Sequence, residues 1–419
     1  MKKLYILVLS FCSYSFLFAQ GYTETLDTFY VPTPEYSISL GVDSLYFPSA
    51  ITRPNNGTNF PMLILVHGTS ALDKDANATK DFKDSVGAPS RKAKTKMLYE
   101  IADHLSKNGI MVLRYDKRSY TVNCIEEQAC WWADTITPFD YIKDIHYAVE
   151  FAKTIPGVDT CNIFLAGHSQ GGAFVSDVGN KRTDIRGVIN LATTALPIDS
   201  VAVFQTITVD SDPSGASILR AQFDSLRAGL WPMNNTLYNQ KFSPRFWLDW
   251  IQITDSAVIT QQISNAATLI MYGTIDRFAP HYMHLPLFMN AIARTNVSYD
   301  TFPLLDHSFG TEYDSTMSVA ALDTMVNWIH NNAFNCSPNP IVYQNIATTF
   351  IYPNPTTGIL NIESSSPKLT IELFDITGKT LNYTNTANNR IDVSHLAAGL
   401  YFLRIDDGEK QLLYKVMKR

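Results

Sequence analysis

Three things are missing from this chain, and each absence removes a class of function. There is no excess of basic charge: 33 Lys and Arg face 39 Asp and Glu, a formal charge of -6, so nothing points to a nucleic acid partner. No cysteine and histidine spacing is of the zinc-ligand kind, and no metal or cofactor is expected. Beyond the first residues, no apolar run is long enough to span a bilayer. What is there, 46% apolar and 17% charged over 419 residues, suits one large globular domain plus a smaller one.

Residues 1–20 read as a signal peptide. Lys2 and Lys3 precede an apolar run from Leu4 to Phe18, and Ala19-Gln20-Gly21 offers a cleavage neighbourhood. The run is too short, and its end too polar, for a membrane anchor. Leu9-Ser10-Phe11-Cys12 is a poor lipoprotein box because Phe11 is bulky. Cleavage removes two lysines and leaves a charge of about -8. Export permits disulfides. Cys124, Cys130, Cys161 and Cys336 remain, and three pairings are open. Cys124–Cys130 with Cys161–Cys336 is favoured, and four reduced thiols are the alternative.

The chain is organised around Cys161 to Ala173. An apolar strand, Ile163 to Ala166, runs into Gly167-His168-Ser169-Gln170-Gly171, and a helix-like segment follows. Strand, Gly-x-Ser-x-Gly turn and helix make the nucleophile elbow of an α/β-hydrolase. Ser169 must take a strained backbone conformation to lift its oxygen clear of the sheet, and glycines relieve the crowding. The expected order around it is a leading antiparallel pair (Tyr36–Leu40 with Asp43–Phe47), a strand at 60–66, a helix over 94–107, a strand at 110–115 and a helix opened by Thr137-Pro138-Phe139-Asp140. After the elbow come strands at 187–191, 267–272 and 297–302 and a last helix over 318–329. This alternation predicts a doubly wound, mostly parallel sheet. The stretch from about 194 to 265 is too long for a simple connection and reads as a lid over the carboxyl ends of the strands. Phe246, Trp247 and Trp250 lie in it, mostly as its own core, with Trp247 a candidate substrate contact.

A serine nucleophile needs a base and a carboxylate that orients the base, in the chain order nucleophile, acid, base. Asp276 follows the strand at 267–272 and His307 follows the strand at 297–302. The expected triad is Ser169, Asp276 and His307. Asp306 is the weaker alternative acid, because an adjacent residue rarely aims at its neighbour's ring. His281 and His284 read as surface residues, and His168 as packing beneath the turn. The oxyanion donors expected are the backbone N–H groups of Gln170 and Thr69, with Ser70 as second choice for the latter. Trp131 and Trp132 either border the pocket or only pack.

Two resemblances extend these readings. His67 to Asp75, Leu113 to Arg118, Gly167 to Gly171, Phe246 to Trp250 and Gly273 to Asp276 resemble secreted esterases of the α/β-hydrolase superfamily, near the dienelactone-hydrolase and prolyl-oligopeptidase-like branch. This implies cofactor-free hydrolysis of a small or polymeric carboxylic ester through an acyl-enzyme. Ser70 and Ser119 stand where that family usually has glycine, so its substrates do not transfer. Tyr352 to Gly358, Phe374 to Gly378, Asp392 to Leu396 and Ala398 to Tyr401 resemble the C-terminal sorting domain of type IX secretion in Bacteroidetes. Residues 350–419, after a linker at 337–349, would then be a small β-sandwich read by that machinery, directing the protein to the surface or medium. The 21–336 segment would be the hydrolase. A carbohydrate-binding sandwich is the alternative for the tail. A peptidase, an acyltransferase or a non-catalytic binding module is the alternative for the whole.

Overall fold

The computed structural model describes residues 21–32, 44–69, 72–76, 96–121, 136–240, 242–255, 266–291, 296–311, 316–334, 349–352, 354, 356–364, 369–375, 379–386, 389–406 and 411–419. The expected signal peptide, linker, Ser70, Trp131, Trp132, Cys124, Cys130 and Cys336 lie outside these residues. Residues 1–335 and 336–419 form two separate units.

The first unit is built on one sheet. Its strands are Tyr22–Pro32 (β1), Ser44–Pro54 (β2), Phe60–Val66 (β3), Met111–Tyr115 (β4), Val158–His168 (β5), Gly187–Leu191 (β6), Ala267–Gly273 (β7) and Val297–Phe302 (β8), in the order β1-β2-β4-β3-β5-β6-β7-β8. From β4 to β8 every pairing is parallel, whereas β1–β2 and β2–β4 are antiparallel. The central strands are apolar on both faces and buried on both, which a sheet achieves only between two helical layers. The partner of β2 is β1, not Tyr36–Leu40, which lies outside the described residues. Only Phe29 and Val31 at the end of β1 are buried, so its alternation is faint.

Helices cover the two faces. Met97–Lys107 (α1) and Val319–Asn332 (α8) bury their apolar sides with Leu63, Leu65 and Phe164. Pro138–Thr154 (α2) and Gln170–Lys181 (α3) pack on the other face. α2 opens with a capping box between Thr137 and Asp140 and buries Ile142, Ile145, Val149 and Ala152. His281–Ala291 (α7) follows β7.

Between β6 and β7 lie three helices, Ile198–Thr208 (α4), Pro213–Arg227 (α5) and Pro244–Asp255 (α6). α4 is illegible in sequence because Val201, Val203, Thr206, Ile207 and Thr208 are β-branched and poor helix formers. Packing decides instead. Asp199, 1% exposed, accepts from Arg227 at 2.7 and 3.0 Å, and Arg227 reaches Asp255 at 2.8 Å, tying α4, α5 and α6 together. Trp247 is 3% exposed and sits edge-on to Phe223 and Phe242 while stacking on Trp250. It is therefore core of this helical cap and not a substrate contact: the apolar side of α6 must be covered by α5.

The second unit has two antiparallel sheets. Thr349–Tyr352 (β9), Ile359–Ser364 (β10), Thr384–Thr386 (β13) and Arg390–Asp392 (β14) form one. Thr370–Phe374 (β11), Thr380–Leu381 (β12), Gly399–Asp406 (β15) and Gln411–Lys418 (β16) form the other. Leu360, Ile362, Leu373, Ile391, Leu403, Ile405 and Val416 make their shared core.

Phe164 is wholly buried on β5 and meets Trp328 of α8 edge-on at 5.9 Å. Phe164→Ala is expected to cost about 3–5 kcal/mol of stability, read as a lower urea midpoint at unchanged slope.

Candidate active site

The carboxyl ends of the parallel strands carry the chemistry. β5 turns into α3 at Ser169, whose backbone sits at φ 53° and ψ -114°. That conformation is pinned on both sides. The Ser169 amide donates to Leu191 O at 2.8 Å, and its carbonyl accepts from Gly172 N at 3.0 Å and Thr193 Oγ1 at 3.1 Å. Gly171 is required by contact, because a Cβ there would lie 2.5 Å from the His67 carbonyl.

β7 and β8 each end in a loop, and the two loops are joined. Thr274 N donates to Phe302 O and Ile275 N to Leu305 O, both at 3.0 Å. This brings His307 Nδ1 to 2.7 Å from Asp276 Oδ2. The carboxylate only accepts, so Nδ1 carries the proton and Nε2 is left with a lone pair that can accept one. Burial pushes the Asp276 carboxyl up, but the charge and hydrogen bond of His307 and the amides of Ala279 and Phe278 hold it below the ordinary range. Asp306 does not orient His307. Its Oδ1 accepts from Ser308 N at 2.9 Å and Gly310 N at 3.2 Å, closing the turn that presents the ring. Among the described residues Ser169 Oγ makes no hydrogen bond.

His168 and His284 are not where the sequence suggests. His168 donates from Nε2 to the His307 carbonyl at 2.9 Å, and the two rings are 4.7 Å apart. It props the His307 segment rather than packing beneath the elbow. His284 is 1% exposed, not on the surface, and its Nδ1 accepts from Ala195 N at 3.1 Å. α7 lies against the loop after β6, so its inner face is buried. His281 is half-buried.

Thr69 follows β3, and Gln170 follows Ser169. Neither backbone N–H has an acceptor among the described residues. The Thr69 loop is fixed from beneath. His67, 2% exposed, donates from Nε2 to Asp73 O at 3.0 Å. Cys161 is disulfide-bonded, with its partner outside the described residues. No group of three or more His, Cys, Asp or Glu among the described residues is placed to hold a metal. A pocket of about 380 Å³ lined by Thr25, Arg53, Phe151 and Pro156 lies at the amino ends of the parallel strands, away from Ser169.

Residues 91–314, more than half of the chain and including Ser169, Asp276 and His307, match the family described as Serine aminopeptidase, S33. The chain belongs to that family. It is an α/β-hydrolase family, and residues 350–419 match the Secretion system C-terminal sorting domain, which implies export. Esterase EstD of Thermotoga maritima is 28% identical over 160 residues, which are 37% of this chain and 32% of that protein; the match thus spans about a third of the relative. The solved structure of Est1E from Butyrivibrio proteoclasticus with ferulic acid is 16% identical, covering 69% of this chain and 96% of that one, with a TM-score of 0.45. A soluble variant of monoglyceride lipase from Saccharomyces cerevisiae is 18% identical, covering 70% of this chain and 93% of that one, with a TM-score of 0.43. No helix among the described residues is long and apolar enough to cross a membrane.

In this S33-family hydrolase the site carries a pH signature. Burial, with the neighbouring Lys117 for His67 and His307 for His168, pushes both histidines down to about 3, and burial pushes His284 down to about 4. An unfolded histidine titrates near 6.5. Below about pH 6.5 the unfolded chain binds protons that the folded chain refuses, so stability falls as pH drops from there toward 4. Asp144, pushed up to about 6 by burial, offsets part of this. Urea unfolding at pH 7.5 and pH 5 is expected to show the loss. His284→Gln is expected to shrink it by up to about 1.4 kcal/mol per pH unit.

Proposed function

We propose that this chain is an exported serine hydrolase that cleaves carboxylic esters. The supporting observation is the 2.7 Å hydrogen bond from His307 to Asp276, beside an elbow whose serine is held at φ 53°. Ser169 Oγ attacks the ester carbonyl carbon while its proton passes to His307 Nε2. Asp276 keeps the imidazole in the required tautomer and balances the imidazolium that forms. The backbone N–H groups of Thr69 and Gln170 take the oxyanion. Collapse of the tetrahedral intermediate breaks the bond to the alcohol, which leaves with the proton from His307. Water then attacks the acyl-enzyme and gives its proton to His307; as the second tetrahedral intermediate collapses, the bond to Ser169 Oγ breaks, His307 returns the proton to that oxygen, and the acid leaves. The partial match to an esterase, EstD, supports the ester as the bond cleaved.

A second reading, hydrolysis of a peptide amide near a free amino end, follows from the matched family, Serine aminopeptidase, S33. The same steps would serve, with an amine as leaving group.

The two readings separate on paired substrates. Turnover of p-nitrophenyl acetate in excess of aminoacyl p-nitroanilides is expected, and the reverse would move the function to peptide amides. Ser169→Ala is expected to lower kcat by about 10⁴-fold or more on either substrate, and equal turnover by the variant would contradict the mechanism.

A further inference from the structure

One buried cation sits beside this site without any part in the proton transfers. Lys117 follows β4 and is 3% exposed. Its Nζ donates to the Gly68 carbonyl at 2.6 Å and to Gln170 Oε1 at 2.8 Å, and it lies 4.6 Å over the ring of Tyr141. Both acceptors belong to the oxyanion machinery. The Gly68 carbonyl shares its peptide unit with the Thr69 N–H, and in a planar trans peptide the two point in opposite directions. Holding the oxygen from one side therefore aims the N–H to the other. Gln170 carries the second donor on its backbone, and the same ammonium holds its side chain.

We propose that Lys117 is a positioning residue for the oxyanion hole. It clamps the 68–69 peptide against flipping and fixes the Thr69 loop relative to the elbow. It touches no substrate; it acts through the Thr69 and Gln170 amides. A positive charge on the carbonyl oxygen also polarises that peptide and strengthens its N–H as a donor. The lysine is itself well anchored. Its backbone N–H donates to Leu72 O at 3.0 Å, and Asp116 Oδ1 accepts from Lys74 N at 2.8 Å, so the turn after β4 holds the loop after β3. Gly68 leaves no room for a side chain, since a Cβ would lie 2.9 Å from His168 Nδ1. A flipped peptide would turn its carbonyl toward the oxyanion and cancel one donor.

This inference rests on the ester-hydrolysis reading of the same site, and the test keeps the two apart. Lys117→Met, Lys117→Arg, Gln170→Met and Ser169→Ala are made in the full chain, and kcat and KM for p-nitrophenyl acetate are measured with the melting temperature of each. Lys117→Met is expected to lower kcat about a hundredfold, as loss of one oxyanion donor does, with KM within about threefold. Lys117→Arg, which keeps a charged donor, is expected to recover part of that loss. Gln170→Met is expected to lower kcat by a smaller factor, and the double variant Lys117→Met with Gln170→Met, made alongside, to lose less than the two single losses combined. Near-wild-type kcat in a folded Lys117→Met, or a loss carried by KM alone, would overturn the proposal. Should Lys117→Met not fold, Gln170→Met decides: a lower kcat at constant KM supports the clamp, and wild-type kcat overturns it. Full turnover by Ser169→Ala would instead overturn the ester-hydrolysis reading, whatever Lys117 does.

Discussion

The backbone of Ser169 is the constraint on which the rest depends. A non-glycine residue at φ 53° and ψ -114° costs on the order of 1–3 kcal/mol and survives only if its surroundings over-determine it. Here the surroundings are the parallel sheet itself. The Leu191 carbonyl at the end of β6 takes the Ser169 amide, and the loop beyond it supplies Thr193 to the Ser169 carbonyl. The small residue Gly171 lets α3 start against the end of β3. Moving β3, β5 or β6 by one residue would destroy the turn, so the sheet register and the elbow are one feature.

Around that turn, hydrogen bonds join the loops that follow the strands. β3 contributes the Gly68–Thr69 peptide, β4 the Lys117 side chain, β5 the elbow, β7 Asp276 and β8 His307. His168 links the elbow to the His307 carbonyl. The cap joins this set at its own edge: Gln205 of α4 donates to Phe278 O at 2.9 Å, and Arg277 donates to Thr208 O at 3.0 Å. Displacement of α4 would thus be felt at the turn that holds Asp276. The cap hangs on the body through aromatic contacts, Phe246 on Tyr141 and Tyr141 on Phe174.

How much of this is legible in the sequence follows from the range of the interactions. The central strands, α2 and α3 declare themselves through local apolar runs, a capping box and a glycine-flanked serine. The positions of Asp276 and His307 just past strand ends are likewise readable by counting along an alternating chain. What depends on distant partners is not. β1 is half exposed and becomes a strand only by pairing with β2. α4 is β-branched and is held by Arg227 and Arg220 from α5. Trp247, one aromatic among several, gives no local sign that Phe223 and Phe242 will enclose it. Lys117 stands in the Asp116-Lys117-Arg118 run after β4, where no local pattern marks a role for it, and only the fold brings Gly68 and Gln170 to it. His284 is misread for the same reason: its partner, Ala195, is 89 residues away.

The central claim is that Ser169 is the acyl-accepting nucleophile, activated by His307. The most direct measurement is the mass of the protein after incubation with a fluorophosphonate, followed by peptide mapping. The account predicts one phosphonate per chain, carried by the peptide containing Ser169, with labelling slowed strongly in His307→Ala. Labelling at another residue, or no adduct on a folded protein, would contradict it.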